Sequence, residues 1–339
     1  MQTKIKAEEK PLGIIESLQQ GFNFLNHYLW LLILPILLDL FLWLGPRLSI
    51  TTLTEHLVAT IFNQPDLPEA LSTNYDFAIE SLKSLGTSYN LMSLLAGLFT
   101  GLPSLLARLD FVPSLVTGQT VIHLDTWKSA ISWLAILIPA GILLGSLWLT
   151  LIVFAHGHDR INSRAFWRRW GWVWLNVNLY LILLVLAILL LSLLFGTLGA
   201  VSMALLGSVG ATLFSILWVL FVGFSVWLSI GLFFVIPAVA WDGVNLASAI
   251  WRSLNVVGRN ALSTLGFLIL TIVILEGFSR IWLQVSTQQW GLVLSIVGNA
   301  YLDTAIMVAT FLFYQSRYQA WQKQRARVIS QRSEQNDNP

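Results

Sequence analysis

The sequence predicts an all-α, polytopic membrane protein with about six transmembrane helices and amphipathic helices lying in the membrane interface. Three observations predict it. Of the 339 residues, 56% are hydrophobic and only 11% charged, against about 25% charged in an ordinary soluble domain. A chain of this size could build a soluble core, but it could not cover that core with so few charges. The apolar residues also fall in long unbroken runs, which lipid tolerates because a helix satisfies its own backbone polar groups. Finally, the basic residues gather in alternate segments between those runs. There is no Cys, which excludes disulfides, thiolate metal sites and Cys nucleophiles.

Residues 1–27 are polar or amphipathic and carry Lys4, Lys6, Lys10, Glu8, Glu9 and Glu16. A first span follows at 28–44, with Trp30 and Trp43 near its ends. No small-residue cleavage pattern follows it, so it reads as a retained helix and not a signal peptide. Residues 45–130 form an extracytoplasmic insertion. Its Gly45–Trp127 stretch sets seven acidic residues against Arg47, Lys83 and Arg108. Within it, Leu53–Phe62 and Phe77–Leu85 pattern as short amphipathic helices, and Asn63-Gln64-Pro65-Asp66 and the region of Pro68 as turns. Residues 91–107 are apolar but interrupted by Gly97, Gly101 and Pro103. That predicts a re-entrant or interfacial segment rather than a span.

The remaining spans are expected at 131–155, 178–198, 211–235, 261–283 and 290–314, each near the ~20 residues that cross a hydrocarbon core. Cytoplasmic amphipathic segments, 156–177 and 236–260, separate them in pairs. The tail, 315–339, is polar and expected to be disordered at its end.

Charge and aromatic placement test this order. With both termini cytoplasmic, the inner segments hold fourteen of the nineteen Lys and Arg, and only Arg47, Lys83, Arg108, Lys128 and Arg280 fall on the outer side or at outer helix ends. That is the positive-inside pattern. Counting 91–107 as a span would put four loop arginines outside. Many of the sixteen Trp, including Trp127, Trp241, Trp282, Trp290 and Trp321, sit at expected helix ends, where amphipathic rings anchor in the headgroup layer.

Three stretches look alike: Leu12–Asn26, Arg160–Asn176 and Val244–Asn260. Each is amphipathic, ends in Asn and runs straight into a span. In the first, Leu12, Ile15, Leu18, Phe22 and Leu25 recur at helical spacing and make one apolar face. The chain therefore reads as three units of interfacial helix plus transmembrane hairpin, with the long insertion inside the first. Ile15 and Phe166 are expected to touch lipid at shallow depth.

Residues 230–320, with FFVIPAVAWDGVNLASAIWRSLNVVGRN and the closing FYQSRYQAW, resemble a group of uncharacterised bacterial integral membrane proteins similar to the membrane domain of glycerophosphodiester phosphodiesterases. The resemblance implies a bacterial inner membrane. The soluble phosphodiesterase domain has no counterpart in this sequence, so its activity is not implied.

Ionisable side chains inside hydrocarbon are costly and mark function by default. Four fall within spans: Asp39, Glu276, Arg280 and Asp303. By helix rise, Asp39, Glu276 and Arg280 lie in the outer half with Asn299 at similar depth, and Asp303 lies deeper. These five form the candidate polar cluster. A binding cavity is the sharper reading; an ion-pair network pinning helices together is the more ordinary one. The i,i+4 spacing of Glu276 and Arg280 leads to the expectation that Arg280 pairs with Glu276, Asp39 or both. His156-Gly157-His158-Asp159 has alternating ligand types but too few of them for a metal site. His123 and Asp125 lie outside without a nucleophile in recognisable context. No P-loop, nucleophile elbow, zincin or dinucleotide fingerprint is present.

The expected protein is thus a non-enzymatic component of the bacterial inner membrane, acting in envelope homeostasis through the lipid bilayer or a membrane-protein partner. The alternative is a small transporter or permease using the intramembrane carboxylates. No cofactor, metal ligand or catalytic residue is assigned, and nothing points to nucleic acid.

Overall fold

A computed structural model describes residues 11–62, 72–97, 100–108, 120–157 and 163–336. Among the described residues the fold is all-α apart from two three-residue strands. Lys4, Lys6, Lys10, Asp66, Glu69, the turns near Pro65 and Pro68, Asp110, His158 and Asp159 lie outside the described residues. Among the described residues, four helices are long and apolar enough to cross a membrane, and a fifth crossing results if the bent pair Ile14–His27 and Leu29–Leu44 is counted as one. The chain divides into two compact units: Met1–Asn26, Val153–Ile272 and Ala305–Pro339 in the first, His27–Ile152 and Val273–Thr304 in the second.

The first unit opens with α1 (Ile14–His27), whose buried side carries Leu18, Gly21 and Leu25 while Ile15 is exposed. Gly21 lies directly against the backbone of Ala305 and Ala309. The Arg317 guanidinium donates to the Leu12 carbonyl at 2.9 Å and lies 3.4 Å from the centre of the Phe313 ring.

Helix α6 runs Ser163–Gly231, 69 residues, but Gly207 takes φ 55° and ψ −126°. The chain reverses there. Phe195 and Phe221 have ring centroids 4.4 Å apart, whereas 26 residues of straight helix would separate them by about 39 Å. Ser202 Oγ also donates to the Gly210 carbonyl at 3.3 Å. Glycine tolerates this conformation because it has no Cβ to meet the neighbouring carbonyl. The two arms, roughly residues 178–206 and 208–231, are apolar on all sides and mostly exposed.

The described part of Arg160–Asn176 is not a separate interfacial helix but the opening of α6. The reason is local: no Gly-Pro break follows, and Asn176 bonds within the helix to the Trp172 carbonyl at 2.9 Å. Phe166 packs edge-on against Phe154 at 5.3 Å. The third look-alike stretch behaves as expected at its end. Asn245 caps α8 (Leu246–Arg259) by accepting from the Ser248 amide at 3.0 Å. Asn260 leaves helical geometry before α9 (Ala261–Val285). Between α6 and α8, the single turn α7 (Val235–Pro237) passes into a π-helical turn, Ala238–Asp242. Ser253 ties this corner together, accepting from the Phe234 amide at 3.0 Å and donating to the Gly231 carbonyl at 2.6 Å.

Helix α10 (Gln289–Asn336) carries into the polar tail, whose last residues, 337–339, lie outside the described ones. The run after Gln322 has no Gly and no Pro before Pro339, so no helix breaker stands in its described part.

In the second unit, α2 (Ile33–Leu44) leads into strand β1 (Arg47–Ser49), paired in parallel with β2 (Val121–His123). Helices α3 (Thr51–Phe62) and α4 (Ser72–Ser88) cover both helices expected in the insertion and extend them. They close on each other where Gly86 abuts Thr54, and Thr51 Oγ1 donates to the Gly86 carbonyl at 2.9 Å. A 3-10 turn, Leu91–Ala96, ends at Gly97, which with Gly101 takes positive φ.

This segment packs against the middle of α5 (Trp127–His156). Gly141, on α5, faces the Leu94 carbonyl, and Gly145 faces Thr100. A Cβ at either position would collide, so two glycines one turn apart let the segment reach the helix backbone.

Candidate functional site

The structure separates the five candidate residues into two groups. Asp39, on α2, is fully buried and aimed at the start of the turn that follows Pro103. Its carboxylate accepts from Ser104 Oγ at 2.5 Å, from the Leu105 amide at 2.9 Å and from the Leu106 amide at 3.2 Å. Ser104 Oγ in turn accepts from the Ala107 amide at 3.1 Å. Asp39 therefore does for this turn what a capping residue does for a helix: it satisfies amides that have no backbone acceptor. Bonds from neutral donors to an ionised acceptor are among the stronger kinds, about 1.5–3 kcal/mol each in net terms.

Asp303, on α10, is also buried and lies within electrostatic range of Asp39. Its Oδ2 takes a 3.1 Å ion pair from Arg108 and a 3.3 Å hydrogen bond from Asn299 Nδ2 one turn away. Its Oδ1 is buried without a hydrogen-bond partner among the described residues. Arg108 sits at the end of the same 100–108 segment that Asp39 holds. Two spans' worth of buried carboxylate is thus directed at one short loop.

Glu276 and Arg280 are not part of this arrangement. Both are exposed on α9, and no ion pair joins them to each other or to Asp39 among the described residues. The expected Arg280 pairing is corrected: the cation paired with Asp303 is Arg108, and Asp39 is held by the Ser104 hydroxyl and the Leu105 and Leu106 amides. Arg280 fails because α9 turns that face outward, while Asp39 finds its donors in the loop. Ser104 and Arg108 are the site residues that sequence reasoning missed. The available signal was the position of both within a broken apolar segment, next to Pro103, where backbone amides go unpaired.

A second polar group lies in the first unit. Asp242 takes a 2.6 Å ion pair from Arg252 and a 2.7 Å hydrogen bond from Tyr314 Oη, and Arg252 also lies 4.6 Å from the Tyr318 ring centre. Arg169 donates to the carbonyls of Ala240 and Trp241, the free acceptors at the end of the π-helical turn. Beside it opens a cleft of about 560 Å³ walled by Val153, Phe154, Ala165 and Trp172, with the guanidinium groups of Arg168 and Arg169 at its edge. An apolar wall beside two cations suits an amphiphile with an anionic head. His156 is packed between the rings of Phe24 and Trp241 at 5.8 and 4.7 Å. His123 and Asp125 are exposed, with no ion pair between them.

Fold and site together define a helical protein with four to five helices long and apolar enough to cross a membrane, whose buried carboxylates Asp39 and Asp303 are turned to internal bonding. Comparison with known proteins adds no relative: no family model, no curated protein and no solved structure matches the chain.

Proposed function

We propose that the chain is a non-enzymatic scaffold of the bacterial inner membrane, acting in envelope homeostasis through its outer surfaces, which meet lipid and a membrane-protein partner. The observation that carries this reading is the use of Asp39 and Asp303. Asp39 accepts from residues 104–106 and Asp303 pairs with Arg108 and Asn299, and neither acid lines the cleft beside Arg168, the one between α4 and Leu106 or the one at Thr126–Ile136. A carrier of solute needs hydrated, exchangeable groups in the membrane. The resemblance of residues 230–320 to phosphodiesterase-linked membrane domains is consistent with a membrane role without chemistry of its own.

On this reading the spans number six: residues 28–44 contribute one, α5 one, the two arms of α6 two, and α9 and α10 one each. An even number leaves both termini on one side. The fourteen-to-five split of basic residues makes that side the cytoplasm. The described residues of 91–107 then belong to a re-entrant segment, since Gly141 and Gly145 meet Leu94 and Thr100 near the midpoint of α5. Its irregular backbone is tolerable at that depth because it is buried in protein.

The alternative, a small permease using intramembrane carboxylates, draws on one atom, the unpartnered Oδ1 of Asp303. Thiol accessibility separates the two. The chain has no Cys, so a single Asn299→Cys variant can be challenged in intact membranes with a small impermeant thiol reagent. A closed core leaves it unlabelled until detergent unfolding. Rapid labelling in the native state would establish a water path to the acids and sink the scaffold reading.

A further inference from the structure

Val273, Gly277, Arg280 and Gln284 follow one another at three- and four-residue steps along α9, and Glu276 lies one turn from Arg280 beside them, so the five share a face, and all five are exposed. Apolar residues flank them, among them Ile272 and Ile281, both exposed. The other side of α9 is occupied: Trp282, about 200° around the helix from Arg280, lies against Gly298 of α10. The polar stripe has no such cover, and nothing lies within 4 Å of the point where a Cβ on Gly277 would sit.

Depth makes this stripe unusual. Glu276 stands nine residues from the end of α9 at Val285, which places it about 13 Å inside that end. Arg280 is nearer the end and can extend its head to the interface. The shorter Glu276 cannot. Carboxylates in membrane helices normally face the protein interior or water, and here the interior is not what Glu276 faces.

We propose that this face of α9 docks against the same face of a second copy of the chain, with Glu276 of each copy paired to the partner's Arg280. The inference rests on the scaffold reading above, and names the surface and the partner that reading requires. The stripe is its own complement, one acid and one base a single turn apart with no net charge. Two copies inserted in the same orientation and related by a twofold axis along the membrane normal form two equivalent ion pairs, an isologous interface. Gly277 lets the two backbones approach closely between those pairs.

The test uses the full chain in native membranes. Gly277→Cys, with Gln284→Cys as a second probe, is oxidised, and Leu189→Cys on the exposed arm of α6 serves as control. The expected result is a disulfide-linked dimer from the α9 probes and none from the control. Glu276→Arg alone and Arg280→Glu alone each place like charges across the interface and should lower dimer yield at least tenfold. Co-expression of the two with different tags should restore cross-linking between unlike chains only. That rescue in trans excludes a bond within one helix, which would be lost in both chains. Monomeric Gly277→Cys and Gln284→Cys, unchanged yield in the charge variants, or cross-linking to a different protein would each overturn the proposal. Asn299→Cys labelling is read in parallel. If it stays protected while dimerisation fails, only the interface is wrong; if it labels, the scaffold reading has failed first.

Discussion

Removing the Asp39 carboxylate should release residues 104–108. Asp39→Ala deletes the acceptor for the Ser104 hydroxyl and for the amides of Leu105 and Leu106, at a site where Asp39 and Leu105 are both fully buried. The hydroxyl can rotate to another acceptor, but the two amides cannot. A buried donor left unpaired costs about 1–3 kcal/mol, so two amides and the cavity left by the side chain set an expected loss of about 3–5 kcal/mol. Asp39→Asn keeps one oxygen acceptor and most of the volume, and should lose about half as much. Two measurements read this: reversible denaturation of the purified protein in mixed detergent, and hydrogen exchange at single-residue resolution. In the alanine variant the Leu105 and Leu106 amides should exchange faster by about two orders of magnitude, the equivalent of ~3 kcal/mol at 1.4 kcal/mol per tenfold. An alanine variant within ~0.5 kcal/mol of the parent, with those two amides still protected, would refute the idea that Asp39 holds the loop.

Gly145→Leu puts a branched side chain where even a Cβ already meets Thr100, and should cost about 1–3 kcal/mol by overpacking, measured in the same denaturation assay; parental stability would remove the loop from the face of α5. In intact cells, Glu80→Cys should react with an impermeant thiol reagent from outside and Arg168→Cys should not; labelling of both from one side would overturn the six-span order. The cleft beside Arg168 and Arg169 should retain anionic phospholipid in native mass spectra. Arg168→Ala should weaken that retention about fivefold, as expected from ~1 kcal/mol per basic residue near an anionic surface, with inorganic phosphate having no effect; equal retention by the variant would assign the bound lipid elsewhere.

The candidate cluster marks where sequence stops being informative. The axial position of a residue in an apolar run follows from counting, because a helix rises by a fixed amount per residue. Asp39, Glu276, Arg280, Asn299 and Asp303 are therefore recognisable as intramembrane residues from the order of amino acids alone. Azimuth does not follow. In α9 apolar residues occupy every side of the helix, so the few polar ones do not tell which side faces protein and which faces outward. Glu276 and Arg280 thus look like members of the Asp39 cluster when they point away from it. The donors to Asp39 lie 65 to 67 positions along the chain, and Arg108 and Asp303 are farther apart still, distances over which no local periodicity carries information.

By itself, the sequence determined the solvent. Long apolar runs must satisfy their backbone internally, which dictates helices, their lengths and, through the basic residues between them, their expected orientation. It also marked Gly97, Gly101 and Pro103 as the place where one such run breaks. Tertiary structure alone decided what that break is for. Its buried amides need an acceptor, and the one they meet is the Asp39 carboxylate on another helix, while Gly141 and Gly145 let the segment close on α5. A buried charge is satisfied by whichever donors packing brings within about 3 Å, and packing is a property of the folded chain.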